Sequence, residues 1–527
     1  MNKYNNISEE LSDFFIDKIS LQQYIQKLDQ TDSPEPVSPS ELEHILNIEK
    51  KWQSYPLLNR TLTPYLKEIT TRRLNTPNTP KEDNNKNEPS TINSQTNKES
   101  PNPHINLSNF NQEYQSTISS STPLHFTPTP KSIHNFFQSQ NIVGEQTNQE
   151  LLIYGTLAGA NIGIESLSGS GKSALLYALL EAFPKESYCI IHQTTGKSLY
   201  NNPKANNAQY WVIPELQKVF TQDIEEIIKN LTEGISTTYT RTNAQKNGID
   251  AFEIKKKSIL YSFAITNSHL KQRDEEFHRR FIIINTDISK EQNKRIAQTF
   301  AQREFLINHS DITTNIATEN QLFQQHIKYC LAKQQQNDIS SKNPFFPYLI
   351  ENLPSELTGN IRFRSAVKHL STLIKGSTTF YQLSDSPASQ TNQKPNHQTL
   401  FTSLFENQHT LSLYRSTLIA NINTLSVIDQ AVLSIMSETE PLNYHTIQEK
   451  VNDQYMINSP LEETISSLTK KNILEKNNNS YKLNNPITIL IDWQHALEQA
   501  DKLMRQKYPQ HRDEWYLKSQ QQLENIR

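Results

Sequence analysis

Eleven glycines serve a chain of 527 residues, and all of them lie between Gly144 and Gly376. Five fall within Gly155–Gly171. Glycine is what a backbone needs where it must take positive φ or pass close to a ligand. The specialised backbone geometry of this chain is therefore concentrated in its middle third, and the rest must be built from helices and ordinary turns.

Inside the glycine-rich stretch stands Ser166-Leu-Ser-Gly-Ser-Gly-Lys-Ser173. An apolar run precedes it, and an apolar, helix-like run from Ala174 to Phe183 follows. A glycine-rich turn whose N–H groups meet a helix N-terminus is the physical requirement for cradling phosphate. On that reading Ser168, Gly169, Ser170, Gly171, Lys172, Ser173 and Ala174 bind a nucleotide. Lys172 reaches its β/γ-phosphates, and the Ser173 hydroxyl sits on Mg²⁺. One position departs from G-x-x-x-x-G-K-[ST]: residue 166 is serine.

The length gives room for about three domains at roughly 150 residues each. Hydrophobic residues make up 35% of the chain, which is low for a wholly globular protein. The segment 76–130, rich in Asn, Ser, Thr, Pro and Gln, accounts for the deficit. It lacks the apolar surface to offset its ordering entropy and reads as a disordered linker. Before it, residues 1–75 carry amphipathic helical patterns suited to a small helical module or a protein-docking surface. The net charge of −3 excludes a generally basic nucleic-acid coat but not a local basic site. Cys189 and Cys330 are the only cysteines, too few for a Cys-rich zinc site, and the expectation is a reducing, cytoplasmic setting. The most apolar run, Leu151–Ile164, is short for a membrane span and is interrupted by Asn161.

Downstream of the glycine-rich loop, Tyr210-Trp-Val-Ile-Pro-Glu-Leu216 is an apolar run ending in an acid. It resembles the buried strand that delivers carboxylates to a metal and to attacking water. Glu215 is positioned to act on water as general base and to serve the metal. Pro214 stands where a second acid is usual. Two β-patterned segments, Ile235–Arg241 and Ile249–Lys257, flank Asn247-Gly248 and predict a hairpin. Its Arg241, Lys246, Lys255, Lys256 and Lys257 form a candidate DNA-binding set. The strand Ser258–Ile265 leads to Thr266-Asn267, a polar tip that can orient water. Arg279 and Arg280 precede the strand Ile282–Asn285. Paired arginines there suit a γ-phosphate contact across a subunit interface. Arg362 and Arg364 open a helix and can return to the phosphates from a lid.

The remaining pattern divides the chain into a core over 131–300, a helical lid region over 301–385, and a linker and helix over 386–424. Residues 425–485 read as three helices and a hairpin, a winged helix-turn-helix whose third helix presents Lys470 and Lys471 to DNA. Residues 486–527 read as one polar helix.

The ordered set of motifs resembles an AAA+ ATPase, and more narrowly the helicase-like ATPase part of primase–helicase-type proteins of bacteria and mobile elements. The resemblance spans about Ile142 to Leu483 and includes Val143-Gly-Glu145, the loop, Leu231-Thr-Glu-Gly234, Thr266-Asn267, Asp274-Glu-Glu276, Arg279-Arg-Phe281 and Leu370–Gly376. It implies an α/β P-loop AAA+ core with a helical lid, an all-α N-terminal module and a C-terminal winged helix. It implies ATP and Mg²⁺ as cofactors, single-stranded or forked DNA as partner, and a homo-oligomer, most often a hexamer. It makes Glu215 the catalytic acid, Asn267 the first sensor, Arg279 or Arg280 a finger in trans, and Arg362 or Arg364 the second sensor. The competing expectations are a nucleotide-switched regulator or loader with weak turnover, motivated by Pro214, and a small-molecule kinase.

Overall fold

The computed structural model describes residues 126–243, 248–265, 275–306, 310–335, 339–383, 398–484 and 487–525. The expected N-terminal module and all but residues 126–130 of the linker lie outside these, as do Lys246 and Asn267. The helices of eight residues or more are numbered below.

The chain enters through α1 (Pro130–Ser139), started by a Thr129–Ser132 capping box with proline in the first turn. Helix α2 (Gln146–Leu157) is buried all round from Gln149 to Leu157, which explains why its sequence shows no amphipathic stripe. Strand β1 (Ile162–Ser166), the glycine-rich loop and α3 (Lys172–Glu181) follow. Then come β2 (Tyr188–Ile190), β3 (Tyr210–Ile213) and α4 (Gln222–Thr232). The hairpin β4 (Thr237–Asn243) and β5 (Gly248–Ile254) is inserted before β6 (Ser258–Ala264) and β7 (Ile282–Ile284).

Strands β2-β3-β6-β1-β7 form one parallel sheet in that order. The run Leu151–Ile164 is thus divided between a core helix and a central strand. Strand pleating sorts side chains to two faces. Ile162, Ile164, Val212, Leu260, Ile282 and Ile284 face one core, built with α2 and α3. Trp211, Ile213, Ile259, Tyr261 and Phe263 face the other, with α4. A parallel sheet covered on both faces accounts for the near-continuous apolar runs of its strands.

Beyond the sheet run α5 (Lys290–Leu306), α6 (Ser310–Gln335), α7 (Phe363–Gln382) and α8 (Leu404–Asn423). Strand β8 (Ile339–Lys342) pairs in parallel with β9 (Gln398–Phe401), so the far end of the polar stretch Ser384–Gln398 enters a strand. Next come α9 (Val427–Ile435), β10 (Leu442–Asn443), α10 (Tyr444–Gln454), α11 (Glu462–Lys470), β11 (Leu474–Asn477) and β12 (Ser480–Leu483). The three strands make an antiparallel sheet, β10-β12-β11, beside three helices. This C-terminal unit shares the second core, through Val427, Val432, Ile447, Leu461 and Leu468.

The tail departs from expectation. It is two helices, α12 (Trp493–Lys507) and α13 (Pro509–Glu524), broken at Tyr508-Pro509. They bury Ala496, Ala500, Met504 and Trp515 in the first core, a spaced apolar stripe within a sequence that reads as polar. Among the described residues no single helix is long and apolar enough to cross a membrane.

Candidate functional site

Ser166 ends β1, paired with Ala264 of β6 and completely buried. Its φ is not positive, so the missing first glycine leaves no strain. The loop beyond it does need glycine: Gly169 and Gly171 have φ of 78° and 85°. A Cβ added at either would meet nothing within 4 Å, so the loop faces open space. Ser168 and Ala174 are exposed, and Ser170 and Ser173 half-buried.

Lys172 is buried, 6% exposed. Its Nζ donates to the Leu167 carbonyl and, at 3.3 Å, to Ser170 Oγ. Burial pushes its pKa down. A desolvated ammonium resting on a carbonyl of its own loop can exchange that partner for an incoming anion.

Ser173 Oγ stands 3.5 Å from Ser262 Oγ of β6, and the Ser262 hydroxyl donates to the Pro214 carbonyl at the tip of β3. The register of β6 between β1 and β3 thereby connects the start of α3 to the residue before Glu215. Ser262 is not singled out by any sequence motif. Its one signal is a serine on the alternate position of the apolar run Ser258–Ile265. Thr286 is equally silent in sequence: it is buried, and its hydroxyl donates to Ser170 Oγ at 2.8 Å. Glu215 follows β3 with its carboxylate 44% exposed and paired with Lys218.

The two arginines of Arg279-Arg280 separate. Phe277 and Phe281 are buried and stacked, with centroids 4.8 Å apart. Arg280 between them is fully engaged: it donates to the Lys229 carbonyl in the last turn of α4 and pairs with Glu233 at 2.8 Å and Glu276 at 2.5 Å. In this chain its guanidinium is held at the end of α4, whereas the expectation gave the finger to either Arg279 or Arg280. Arg279 stays 44% exposed, 3.4 Å from Glu276.

Arg279 and Arg362 line one cleft of about 1340 Å³ with Lys470 and Lys471, between the sheet edge and the C-terminal unit. The glycine-rich loop is not part of that lining, and neither is Arg364, which is exposed at the start of α7. Acidic groups share the cleft: Glu165, Asp429, Glu462 and Glu463.

The basic set expected on DNA also divides. Lys255 and Lys256 are exposed at the base of the hairpin. Arg241 lies on β4, in register with Asp250. Lys257 is buried and donates to the carbonyls of Asn206 and, at 2.6 Å, Ala208. Burial pushes its pKa down to about 8. Of the expected set, Lys257 is thus the one whose ammonium is turned inward onto carbonyls. Lys471 is exposed and donates at 3.0 Å to the Thr424 carbonyl just past α8, where a cation complements the helix dipole. Lys470 is exposed.

No known protein family matches the chain, and no curated protein matches it.

Proposed function

We propose that this chain is an ATP-binding and ATP-hydrolysing P-loop enzyme of AAA+ type that acts on DNA. The observation that carries the reading is the buried Lys172 folded back on a loop with two positive-φ glycines, one step from Ser173 and the tip of β3. That arrangement suits a triphosphate on the loop N–H groups, with Lys172 on its β/γ-phosphates. Oxygen donors alone, the Ser173 hydroxyl and the Glu215 carboxylate, would hold Mg²⁺ there, which suits a hard cation. The metal would supply charge neutralisation at the transferring phosphoryl group. Glu215, once released from Lys218, orients the attacking water.

The strand order supports the AAA+ reading, since β6 separates the loop strand from the acid-tipped strand and would carry Asn267 beyond its end. Arg279 and Arg362 share a cleft apart from their own chain's loop, which supports their acting on a neighbouring subunit's nucleotide. The helix-and-sheet composition of residues 427–483 supports a winged helix. Its third helix begins with Glu462 and Glu463, however, so the hairpin with Lys255 and Lys256 is the stronger DNA-binding element.

A second reading, a nucleotide switch with little turnover, is favoured by one observation: Pro214 occupies the first position of the usual acid pair and Glu215, the second, is paired with Lys218. The ATPase assay with and without single-stranded DNA separates the two. The motor predicts turnover that DNA stimulates and that Lys172→Ala and Glu215→Gln each reduce by roughly 10²-fold or more. Wild-type turnover no higher than that of Glu215→Gln, with ATP binding retained, would leave the switch.

A further inference from the structure

Strand β6 carries one hydroxyl amid the apolar run Ile259-Leu-Tyr-Ser-Phe-Ala264. This residue, Ser262, is 2% exposed and stands in register with Ile164 of β1. The ladder between β3 and β6 ends at Ile213–Tyr261, so Pro214 and Ser262 are the first residues beyond it. A buried hydroxyl needs partners to offset its lost hydration. Ser262 has two. Its proton goes to the Pro214 carbonyl, which can only accept. Its oxygen lies 3.5 Å from Ser173 Oγ, and among the described residues this is the one hydrogen-bond contact of the Ser173 hydroxyl. A hydroxyl has one proton and two lone pairs. With the Ser262 proton committed to Pro214, Ser173 is the donor in this contact and Ser262 Oγ the acceptor.

Resting on the nucleotide reading of the loop, we propose that Ser262 takes the positioning role of the acid that Pro214 displaces: it accepts the Ser173 proton and so leaves the Ser173 lone pairs for a divalent cation. In P-loop ATPases that cation is held by the loop hydroxyl together with an acid on a neighbouring strand. A hydroxyl ligates only through a lone pair, and its proton must then go to an acceptor elsewhere. Residue 214 offers no carboxylate for it, and the Glu215 carboxylate is paired with Lys218. Ser262 provides the acceptor from the strand between the two, anchored in turn on the backbone of Pro214. It touches neither nucleotide nor cation, and acts through Ser173 alone. The relay restores orientation but not the missing negative charge.

The test measures binding of a fluorescent ATP analogue to the full chain, once with Mg²⁺ and once with EDTA. In the wild type Mg²⁺ is expected to tighten binding. Ser262→Ala is expected to lower that enhancement roughly tenfold, as loss of an outer partner of a metal ligand does. Its affinity in EDTA is expected to stay at the wild-type value, which also reports that the loop remains folded. Ser262→Cys keeps the shape but offers only a weak acceptor. It is expected to repeat the loss, and it carries the test if the alanine variant does not fold. Equal weakening with and without Mg²⁺ would make Ser262 a packing residue and overturn the inference. An enhancement as large as the wild type's in the variants overturns it too, as does a wild-type affinity indifferent to Mg²⁺. Each of these outcomes leaves the loop reading intact. ATP affinity unchanged by Lys172→Ala overturns both.

Discussion

At the scale of single residues, the charged side chains buried in this protein divide into those that hold structure and those left for chemistry. Glu150 is the clearest of the first kind. Burial alone would push its pKa up, but His134 at 3.0 Å, His409 at 2.5 Å and Tyr154 at 2.7 Å hold it down at about 2. A carboxyl whose folded pKa lies below its ordinary value of 4.5 stabilises the fold above pH 4.5. That contribution is lost as the pH falls toward 2, and over this window it amounts to about 3 kcal/mol. Glu150→Gln is therefore expected to lower the melting temperature at pH 7, with the gap to wild type closing between pH 4.5 and 2; a gap independent of pH would refute the assignment. The arginine pair makes a second prediction. Arg280→Ala removes charge-assisted hydrogen bonds at a helix end and should cost about 2 kcal/mol of stability. Arg279→Ala should leave the melting curve unchanged and reduce ATP turnover. Thermal melts and ATPase rates on the same two variants decide it.

At the scale of elements, close backbone approaches and strand register position the site. Helix α7 crosses α2 so closely that a Cβ at Gly376 would fall 1.8 Å from the Tyr154 carbonyl oxygen. Gly376→Ala must push the helices apart and is expected to destabilise by about 1–3 kcal/mol in denaturant titration. The hairpin carries the prediction for DNA. Lys255→Ala with Lys256→Ala should weaken single-stranded DNA binding and lower the salt slope by about 1.4, roughly 0.7 for each phosphate no longer neutralised. Lys257→Met, one residue further on, should leave that slope unchanged, because its ammonium is spent on the carbonyls of Asn206 and Ala208. The two strands of the hairpin and those of the sheet were legible in sequence from their β-patterned and apolar runs, whereas Gly248, expected in the turn, stands in β5 opposite Asn243. The inward turn of Lys257 was not legible, because it follows from where β5 ends against the segment 206–208.

At the scale of the whole molecule, one parallel sheet separates two cores, and the C-terminal unit belongs to the second. Arg279 and Arg362 lie together in the cleft beside that unit, apart from the loop of their own chain. If they serve a neighbour's nucleotide, mixing two impaired proteins, Lys172→Ala and Arg279→Ala, should give more activity than the sum of the two alone. In a closed ring of randomly mixed subunits about a quarter of the interfaces pair an intact Lys172 with an intact Arg279. No recovery on mixing, with both variants assembled, would place the arginine in cis or out of the reaction. The sequence by itself determined the glycine-rich loop, the alternation of strands and helices around it, and the two strands of the hairpin, because these depend on residues adjacent in the chain: positive φ at two glycines, and apolar and β-branched runs. The tertiary structure decided which cations are spent on carbonyls and helix ends, and that Ser262 and Thr286 join the loop to its neighbours. It also made one cleft of residues from the sheet, α7 and the C-terminal unit. Those outcomes depend on desolvation and on packing between segments far apart in sequence, where a lysine or arginine is solvated or buried according to what folds against it.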